Sequence, residues 1–149
     1  MSGQSQRVII RRLPTATIRR LPKRNGCYPI VIEGELDMYG SHQFREKLAE
    51  ILHREDSDFG PGDKIVIHTE SGEFVSEDGR SFLSAGLECI DAIGLAAMIT
   101  AFKSARKRDG TICLIISDPK IKRIFAITGL DKVFDIFDDS KAAYQMAMA

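Results

Sequence analysis

The sequence predicts an α/β (α+β) domain built around one mixed sheet, and two observations support this prediction. Short β-branched runs, Lys64–His68 and Thr111–Ile116, alternate with segments of helical periodicity, which is typical of strands and helices packed in layers. Two segments at the beginning of the chain, Arg7–Leu13 and Thr17–Leu21, are predicted to be extended. Because they precede any helix, at least one antiparallel strand pair is expected.

In the first half of the chain, Asn25-Gly26 indicates a tight turn. The strand after it is predicted over residues 29–33, ending at Gly34, and Ser41 is expected to cap a helix that runs to about His53. One face of this helix carries apolar residues at helical spacing, namely Phe44, Leu48, Ile51 and Leu52. Residues 55–63 are acidic and interrupted by glycine and proline, which predicts a loop before the strand at residue 64.

Residues 69–86 leave two alternatives open. Serines, glycines and acids dominate the segment, and Phe74-Val75 and Phe82-Leu83 are its apolar pairs. We expect a hairpin or an ordered surface loop rather than a free linker. So long a segment inside a small domain is either functional or a sign of a misassigned element.

The run Cys89–Leu95 is where a strand would lead into a helix N-terminus. Asp91 is the predicted cap of a helix over residues 94–107, and Asp109-Gly110 closes it. Apolar residues expected on one face of this helix are Leu95, Met98, Ile99, Phe102 and Ala105. Arginines and lysines in its last turns complement the helix dipole.

The last third of the chain follows the same alternation. After the strand at residues 111–116, Asp118-Pro119 predicts a helix start with proline at its first position, and Gly129 predicts that helix's end. A short strand is expected over residues 133–136. Asp139 or Ser140 is then expected to cap a final helix.

Composition limits the class of protein. With 149 residues, 44% apolar and 28% charged, the chain predicts one soluble domain with a real core. No apolar run approaches the ~18 residues of a membrane span, and the N-terminus lacks a signal-peptide pattern. We therefore expect a cytoplasmic protein. The cysteines, Cys27, Cys89 and Cys113, lack metal-site spacing and are predicted to be reduced core residues.

The net charge of zero conceals an asymmetry. Residues 1–25 contain seven basic residues and no acid, and Ile10–Pro14 recurs as Ile18–Pro22. This segment is either an arm for an acidic partner, nucleic acid or lipid headgroups, or strand with a solvated basic edge. We favour the strand, because apolar residues are interspersed through the segment. Residues 1–26 are therefore treated as a basic N-terminal extension that could add strands, and residues 27–149 as the main domain.

Four motifs in order resemble the STAS domain, the fold of bacterial anti-sigma factor antagonists. They are Gly34–Asp37, Ile90–Leu95, Arg106–Gly110 and Ile127–Phe134, and the resemblance covers about residues 28–148. It implies a mixed sheet of four or five strands with helices mainly on one face. It also implies a protein that is not an enzyme, needs no cofactor and binds an anti-sigma factor, usually a serine kinase. In the family, phosphorylation of a Ser or Thr in an Asp-Ser-x-Gly-Leu motif breaks that complex.

The resemblance transfers a partner surface to this chain. The matching residues are Glu35, Asp37, Asp91, Ala92, Ile93, Gly94 and Leu95. The chain departs from the family at the phospho-acceptor position, which holds Ala92, in a segment that looks inserted at about residues 70–86, and in the N-terminal extension. The alanine predicts that phosphorylation does not occur at the usual helix cap.

An alternative alignment places Leu83–Leu87 on the same motif and supplies a hydroxyl at Ser84. We favour the alignment on Asp91, because a helix starting at Gly86 would have to run through Gly94. Ser84 and Thr100 remain alternative acceptors. We interpret the scattered histidines, which are His42, His53 and His68, as surface or satisfied core residues.

Two functions therefore compete. The first is a non-enzymatic, protein-binding regulator of the anti-sigma antagonist type, held in its binding-competent form. The second is a non-switching STAS subunit of a larger assembly, such as a stressosome-like scaffold or a lipid-transport ABC complex. A homodimer is possible in either case, and nucleic-acid binding through the basic arm is the weakest alternative. No P-loop, nucleophile elbow or metalloprotease motif supports an enzyme.

Overall fold

The computed structural model describes residues 15–147 and contains one main sheet, a separate hairpin and four helices within that range. The strands of the main sheet are β1 (Ala16–Arg20), β2 (Cys27–Leu36), β3 (Lys64–His68), β6 (Leu87–Ile90), β7 (Thr111–Ile115) and β8 (Asp135–Phe137). The hairpin consists of β4 (Gly72–Val75) and β5 (Ser81–Ser84). The helices are α1 (Met38–Leu52), α2 (Ala92–Lys107), α3 (Pro119–Ile127) and α4 (Ser140–Ala147).

The main sheet is mixed, with the strand order β1-β2-β3-β7-β8. Strand β1 pairs antiparallel with β2, and the other pairs are parallel. The predicted turn at Asn25-Gly26 joins β1 and β2, with both residues at positive φ, 41° and 79°. Strand β6 pairs with β2 beyond the last pairing of β3. The predicted fold class is confirmed, but within residues 15–147 the sheet has six strands rather than the expected four or five.

Three helices cover one face of this sheet. The inward side chains of the parallel strands are β-branched or Leu, as in Ile30, Ile65, Ile67 and Leu114, and all four are fully buried in one cluster with residues of α1, α2 and α3. A strand that is buried on both faces needs apolar side chains at successive positions, which explains why these strands are continuous apolar runs in the sequence. Helix α4 packs on the opposite face. Helices therefore lie mainly on one side, as predicted.

The start of α1 was predicted wrongly. Its cap is Asp37 rather than Ser41, because the Asp37 carboxylate accepts hydrogen bonds from the backbone N–H groups of Tyr39 and Gly40. Ser41 lies inside the first turns, fully buried. Its hydroxyl has no hydrogen-bond partner among the described residues.

The end of β2 also differs from the prediction. The strand continues through Gly34 to Leu36 instead of ending at the glycine. Gly34 lies at φ 101°, where the pairing of β2 with β6 shifts register. A side chain there would collide with the backbone of Thr15. Gly34 is thus a bulge in a continuing strand.

Several later elements confirm their predictions with small shifts. Helix α2 begins at Ala92, two residues before the predicted start. Its buried face is built on small residues, including Ala97 and Ala101, while Leu95 and Phe102 are half-buried against the core. Gly129 follows α3 at φ 76°. Residues 130–132 form a 3-10 turn, and β8 therefore starts later than expected, at Asp135.

Two further predictions concerned the residue that caps the final helix and the burial of the cysteines. The Asp139 carboxylate, rather than Ser140, accepts the hydrogen bond from the backbone N–H of Ala142 at the start of α4. Cys27 and Cys113 are buried as predicted, but Cys89 in the short strand β6 is exposed, which contradicts the prediction of a core residue.

The segment after β3 forms a hairpin. Strands β4 and β5 pair antiparallel, and stacking of Phe74 on Phe82 with a centroid distance of 5.8 Å holds them together. Phe74 also contacts the ring of His68 in β3, and the guanidinium of Arg19 in β1 lies over Phe82. The hairpin therefore folds back over the sheet face that α1, α2 and α3 leave open. The predicted extended segment at residues 7–13 lies outside the described residues.

Candidate partner-binding surface

Two parallel strands end side by side, and each leads directly into a helix. In the pairing of β2 with β6, Leu36 lies opposite Ile90. The residue that follows each strand is an aspartate, Asp37 before α1 and Asp91 before α2. The N-termini of α1 and α2 therefore meet at one edge of the sheet. This juxtaposition brings together the two motifs that the sequence places 54 residues apart.

Asp37 holds its position through three hydrogen bonds. Its Oδ1 accepts from the backbone N–H groups of Tyr39 at 3.0 Å and Gly40 at 2.9 Å. The same oxygen accepts the hydroxyl of Thr15, just before β1, at 2.7 Å. The bonds from Gly40 and Thr15 favour the charged form and lower the pKa of Asp37 below its usual value. Asp37 thereby ties the start of β1 to the start of α1.

Asp91 caps the N-terminus of α2, as Asp37 caps that of α1. Its Oδ1 accepts the backbone N–H of Gly94 at 2.9 Å, which confirms the predicted cap. Ala92 occupies the first helical position and is exposed. A hydroxyl at this position would lie beside the Asp91 carboxylate and at the positive end of the helix dipole. The methyl group of alanine can accept no phosphate.

A glycine occupies the same place in both helices, three residues after the aspartate. A Cβ added to Gly40 would overlap the carbonyl oxygen of Glu35, and one added to Gly94 would overlap that of Leu36. Each helix can therefore start in contact with a strand backbone only because glycine is present. The repeated Asp-x-x-Gly spacing at residues 37–40 and 91–94 is a sequence signal for this arrangement that our sequence analysis did not use.

Apolar side chains are exposed between the two aspartates and the two glycines. Met38 is 54% exposed, Tyr39 41% and Ile93 44%. An exposed cluster of large apolar groups at one edge is typical of a protein-interaction site rather than of a neutral surface. Sequence reasoning predicted Ile93 but missed Met38 and Tyr39, which occupy the matching positions of the other helix start.

The edge is also acidic. Glu35, Glu88 and the two aspartates surround the exposed Cys89, and partial desolvation together with these carboxylates raises the pKa of its thiol. We call the set of Glu35, Asp37, Met38, Tyr39, Asp91, Ala92 and Ile93 the helix-start surface. Its chemistry is that of an apolar patch with an acidic rim. Within residues 15–147, no group of histidine, cysteine or acidic side chains is arranged to hold a metal ion.

The remaining predicted site residues lie inside or away from this surface. Gly94 is buried and Leu95 is half-buried against the core. Ser84 is buried at the end of β5, where its hydroxyl oxygen accepts the backbone N–H of Gly86 at 3.1 Å. Thr100 is exposed two turns along α2, with its hydroxyl bonded to the carbonyl of Ala96.

The fold and the site together define an α/β domain whose exposed edge joins two helix N-termini on parallel strands. A family model described as "STAS domain" matches residues 19–143, and the chain belongs to that family. No curated protein matches this sequence. None of the helices within residues 15–147 is long and apolar enough to cross a membrane.

Solved structures share the fold at low sequence identity. An anti-sigma factor antagonist from Mycobacterium paratuberculosis has a TM-score of 0.66 at 18% identity, covering 89% of this chain and 96% of that one. The Bacillus cell fate determinant SpoIIAA in its phosphorylated form has a TM-score of 0.57 at 15% identity, covering 87% and 99%. The murine anion transporter Slc26a9 has a TM-score of 0.62 at 14% identity, covering 85% of this chain and 18% of that chain.

Proposed function

We propose that this protein is a non-enzymatic regulator of the anti-sigma antagonist type, and that the helix-start surface binds its partner. The observation that carries the proposal is the exposed apolar cluster of Met38, Tyr39 and Ile93 beside two capping aspartates. The fold shared with anti-sigma factor antagonists supports the choice of partner class, a kinase-type anti-sigma factor. An apolar centre with a polar rim is the usual anatomy of a protein interface.

Ala92 adds a second part to the proposal. A phosphate adds about −1.5 to −2 charges at pH 7. On a side chain at position 92 it would stand beside the carboxylate of Asp91, in a surface that is already acidic. It would repel an acidic partner, and against an apolar partner it would weaken binding because the phosphate would lose its hydration. Because Ala92 is exposed at the first position of α2 and carries no hydroxyl, we infer that the complex is not released by phosphorylation at this position.

The second candidate is a non-switching STAS subunit of a larger assembly. The structural likeness to a domain of Slc26a9, which covers 18% of that transporter chain, supports this alternative. A scaffold or transporter partner would need packing surface without a phosphate switch, and Ala92 is compatible with that requirement. The two candidates differ in the partner that occupies the helix-start surface.

The test is calorimetric titration of the full chain with the kinase-type anti-sigma factors of its own organism. We expect one of them to bind and Ile93→Asp to raise its Kd at least about tenfold, because a central apolar contact typically contributes 1–2 kcal/mol or more. Ile127→Asp is the matched control, since Ile127 is 73% exposed on α3, outside the helix-start surface. An equal loss of affinity in both variants, or no binding to any of these anti-sigma factors, would overturn the first candidate.

A further inference from the structure

The described part of the chain begins beside the helix-start surface. Thr15 donates its hydroxyl to the Asp37 carboxylate at 2.7 Å. Its carbonyl oxygen accepts the backbone N–H of Glu35, also at 2.7 Å. Both partners of Thr15 belong to the helix-start surface. Residues 1–14, which lie outside the described range, therefore join the fold at the rim of this surface.

The acidic rim of the surface has no basic partner within residues 15–147. Glu35, Glu88 and Asp91 are exposed and Asp37 is half-buried. None of these four carboxylates forms an ion pair with a described residue. Carboxylates grouped at one edge create a negative potential that attracts cations. The rim therefore favours a positively charged occupant.

The centre of the surface asks for apolar groups. Met38 at the start of α1 and Ile93 at the start of α2 are both exposed. Large apolar side chains that remain in contact with water favour an occupant that can bury them. An occupant that matches the centre and the rim together combines apolar side chains with positive charge.

Residues 1–14 have this combination in their sequence. They contain three arginines and no acid, and the arginines are interleaved with large apolar residues. The arginines are Arg7, Arg11 and Arg12, and the apolar residues include Val8, Ile9, Ile10 and Leu13. The acidic partner that such a basic segment would suit is therefore present on the same chain, next to the point of attachment.

The segment is long enough to cover the surface. An extended chain spans about 3.3–3.6 Å per residue, so residues 8–13 can lie about 7–25 Å from Thr15. Strands β2 and β6 end side by side, and neighbouring strands are only about 4.8 Å apart. Both helix starts thus lie within reach. A short covalent link typically gives a local concentration of about 1 mM, so that even a weak contact is populated.

We propose that residues 1–14 fold back over the helix-start surface as an autoinhibitory segment, with apolar side chains on Met38 and Ile93 and arginines on the acidic rim. The regulatory part of this proposal rests on the proposed function, because the segment competes with the protein partner for one surface. The closed state lowers the apparent affinity for the partner in proportion to the fraction of open molecules. It thereby supplies a control that Ala92, without a hydroxyl, cannot provide.

The first test measures the contact without a partner. In the full chain with ¹³C-methyl-labelled methionines, an uncharged gadolinium chelate broadens the NMR signals of accessible methyl groups, and the fully buried Met98 is the internal reference. We expect the natural chain to be closed at least about half of the time, so that Arg11→Glu combined with Arg12→Glu raises the broadening of the Met38 methyl signal at least about twofold.

The matched control is Lys120→Glu combined with Arg123→Glu. Both residues are exposed on α3, and this pair changes the net charge by the same amount. It should leave the Met38 signal as in the natural chain. Equal broadening in the natural chain and the Arg11/Arg12 variant, or an equal increase in the control, would overturn the proposal. Protection of Met38 that grows with protein concentration would place a second copy's segment on the surface and would also overturn it.

The second test measures regulation. The Arg11/Arg12 variant should bind the kinase-type anti-sigma factor at least about twofold more tightly than the natural chain, because its surface is open, and the control pair should bind like the natural chain. Unchanged or weaker binding by the variant would overturn the autoinhibitory role. If no anti-sigma factor binds any of these chains, the proposed function fails, and the Met38 measurement alone decides whether the segment covers the surface.

Discussion

Asp37 shows how one side chain joins distant parts of the chain at the proposed partner surface. It accepts the hydroxyl of Thr15, 22 residues before it in the sequence, as well as two backbone N–H groups of its own helix. The cap therefore also holds the first strand of the described chain in place. This dual role also lowers the pKa of Asp37, which gives the stability of the protein a testable pH dependence.

Asp37→Asn should reduce the free energy of unfolding at pH 7 and have progressively less effect in acid. Because the folded-state pKa lies below the unfolded value near 4, the charged form contributes stability above about pH 4, and this contribution is lost as the pH falls through the folded pKa. Urea unfolding at pH 7 and pH 3 measures the difference, with Asp131→Asn as a control for net charge. A difference that grows in acid would contradict the account.

Gly94 tests the close contact between helix α2 and strand β2. Gly94→Ala should destabilise the fold by about 1–3 kcal/mol, because the added methyl group meets the Leu36 carbonyl oxygen, which cannot move without shifting the strand. Gly60→Ala is the matched control, since a Cβ there meets nothing within 4 Å. Thermal or urea unfolding measures both, and equal stabilities of the two variants would show that the contact is not restrictive.

At the scale of elements, the hairpin is attached to the sheet chiefly by aromatic contacts. Phe82→Ala removes the stack with Phe74 and the contact of Arg19. We expect faster hydrogen exchange across β4 and β5, with the amides of β3 and β7 unchanged, because local opening does not require global unfolding. Leu83→Ala is the control on the same strand, since Leu83 is 80% exposed. Equal effects of the two substitutions would argue against an aromatic attachment.

Elements that depend on local signals were predictable. The strand Lys64–His68 was predicted correctly, because a fully buried parallel strand requires a continuous β-branched run. Asp118-Pro119 and Gly129 marked the ends of α3, since capping and left-handed termination are properties of a few neighbouring residues. The cap at Asp91 follows the same logic.

Features that depend on long-range pairing could not be predicted from local patterns. Asp37 caps α1 through local bonds from Tyr39 and Gly40, a signal that the local Asp-x-x-Gly spacing carries, whereas its additional bond from Thr15 depends on the pairing of β1 with β2. The adjacency of Asp37 and Asp91 was expected from the family resemblance alone, because it requires that β6 pair with β2 beyond the end of β3. Two of the seven residues of the helix-start surface, Met38 and Tyr39, follow from this adjacency, and neither residue is marked by a pattern of its own in the sequence.

At the scale of the whole molecule, the sheet separates two surfaces. The helix-start surface lies at the edge where β2 and β6 end, and the cleft formed by the hairpin and α4 lies on the opposite face from the packed helices. We propose a protein partner for the first. Control of this domain would then originate away from the start of α2, because Ala92 leaves the usual position without a phospho-acceptor.

The most direct test of this account is the affinity for the kinase-type anti-sigma factor before and after incubation with ATP. The natural chain should keep its Kd and acquire no phosphate near residue 92 by mass spectrometry. Ala92→Ser should become phosphorylated and lose affinity at least about tenfold, whereas Ala96→Ser, exposed one turn further along α2, should behave like the natural chain. Release of the natural chain by ATP, or unchanged binding of phosphorylated Ala92→Ser, would contradict the central claim.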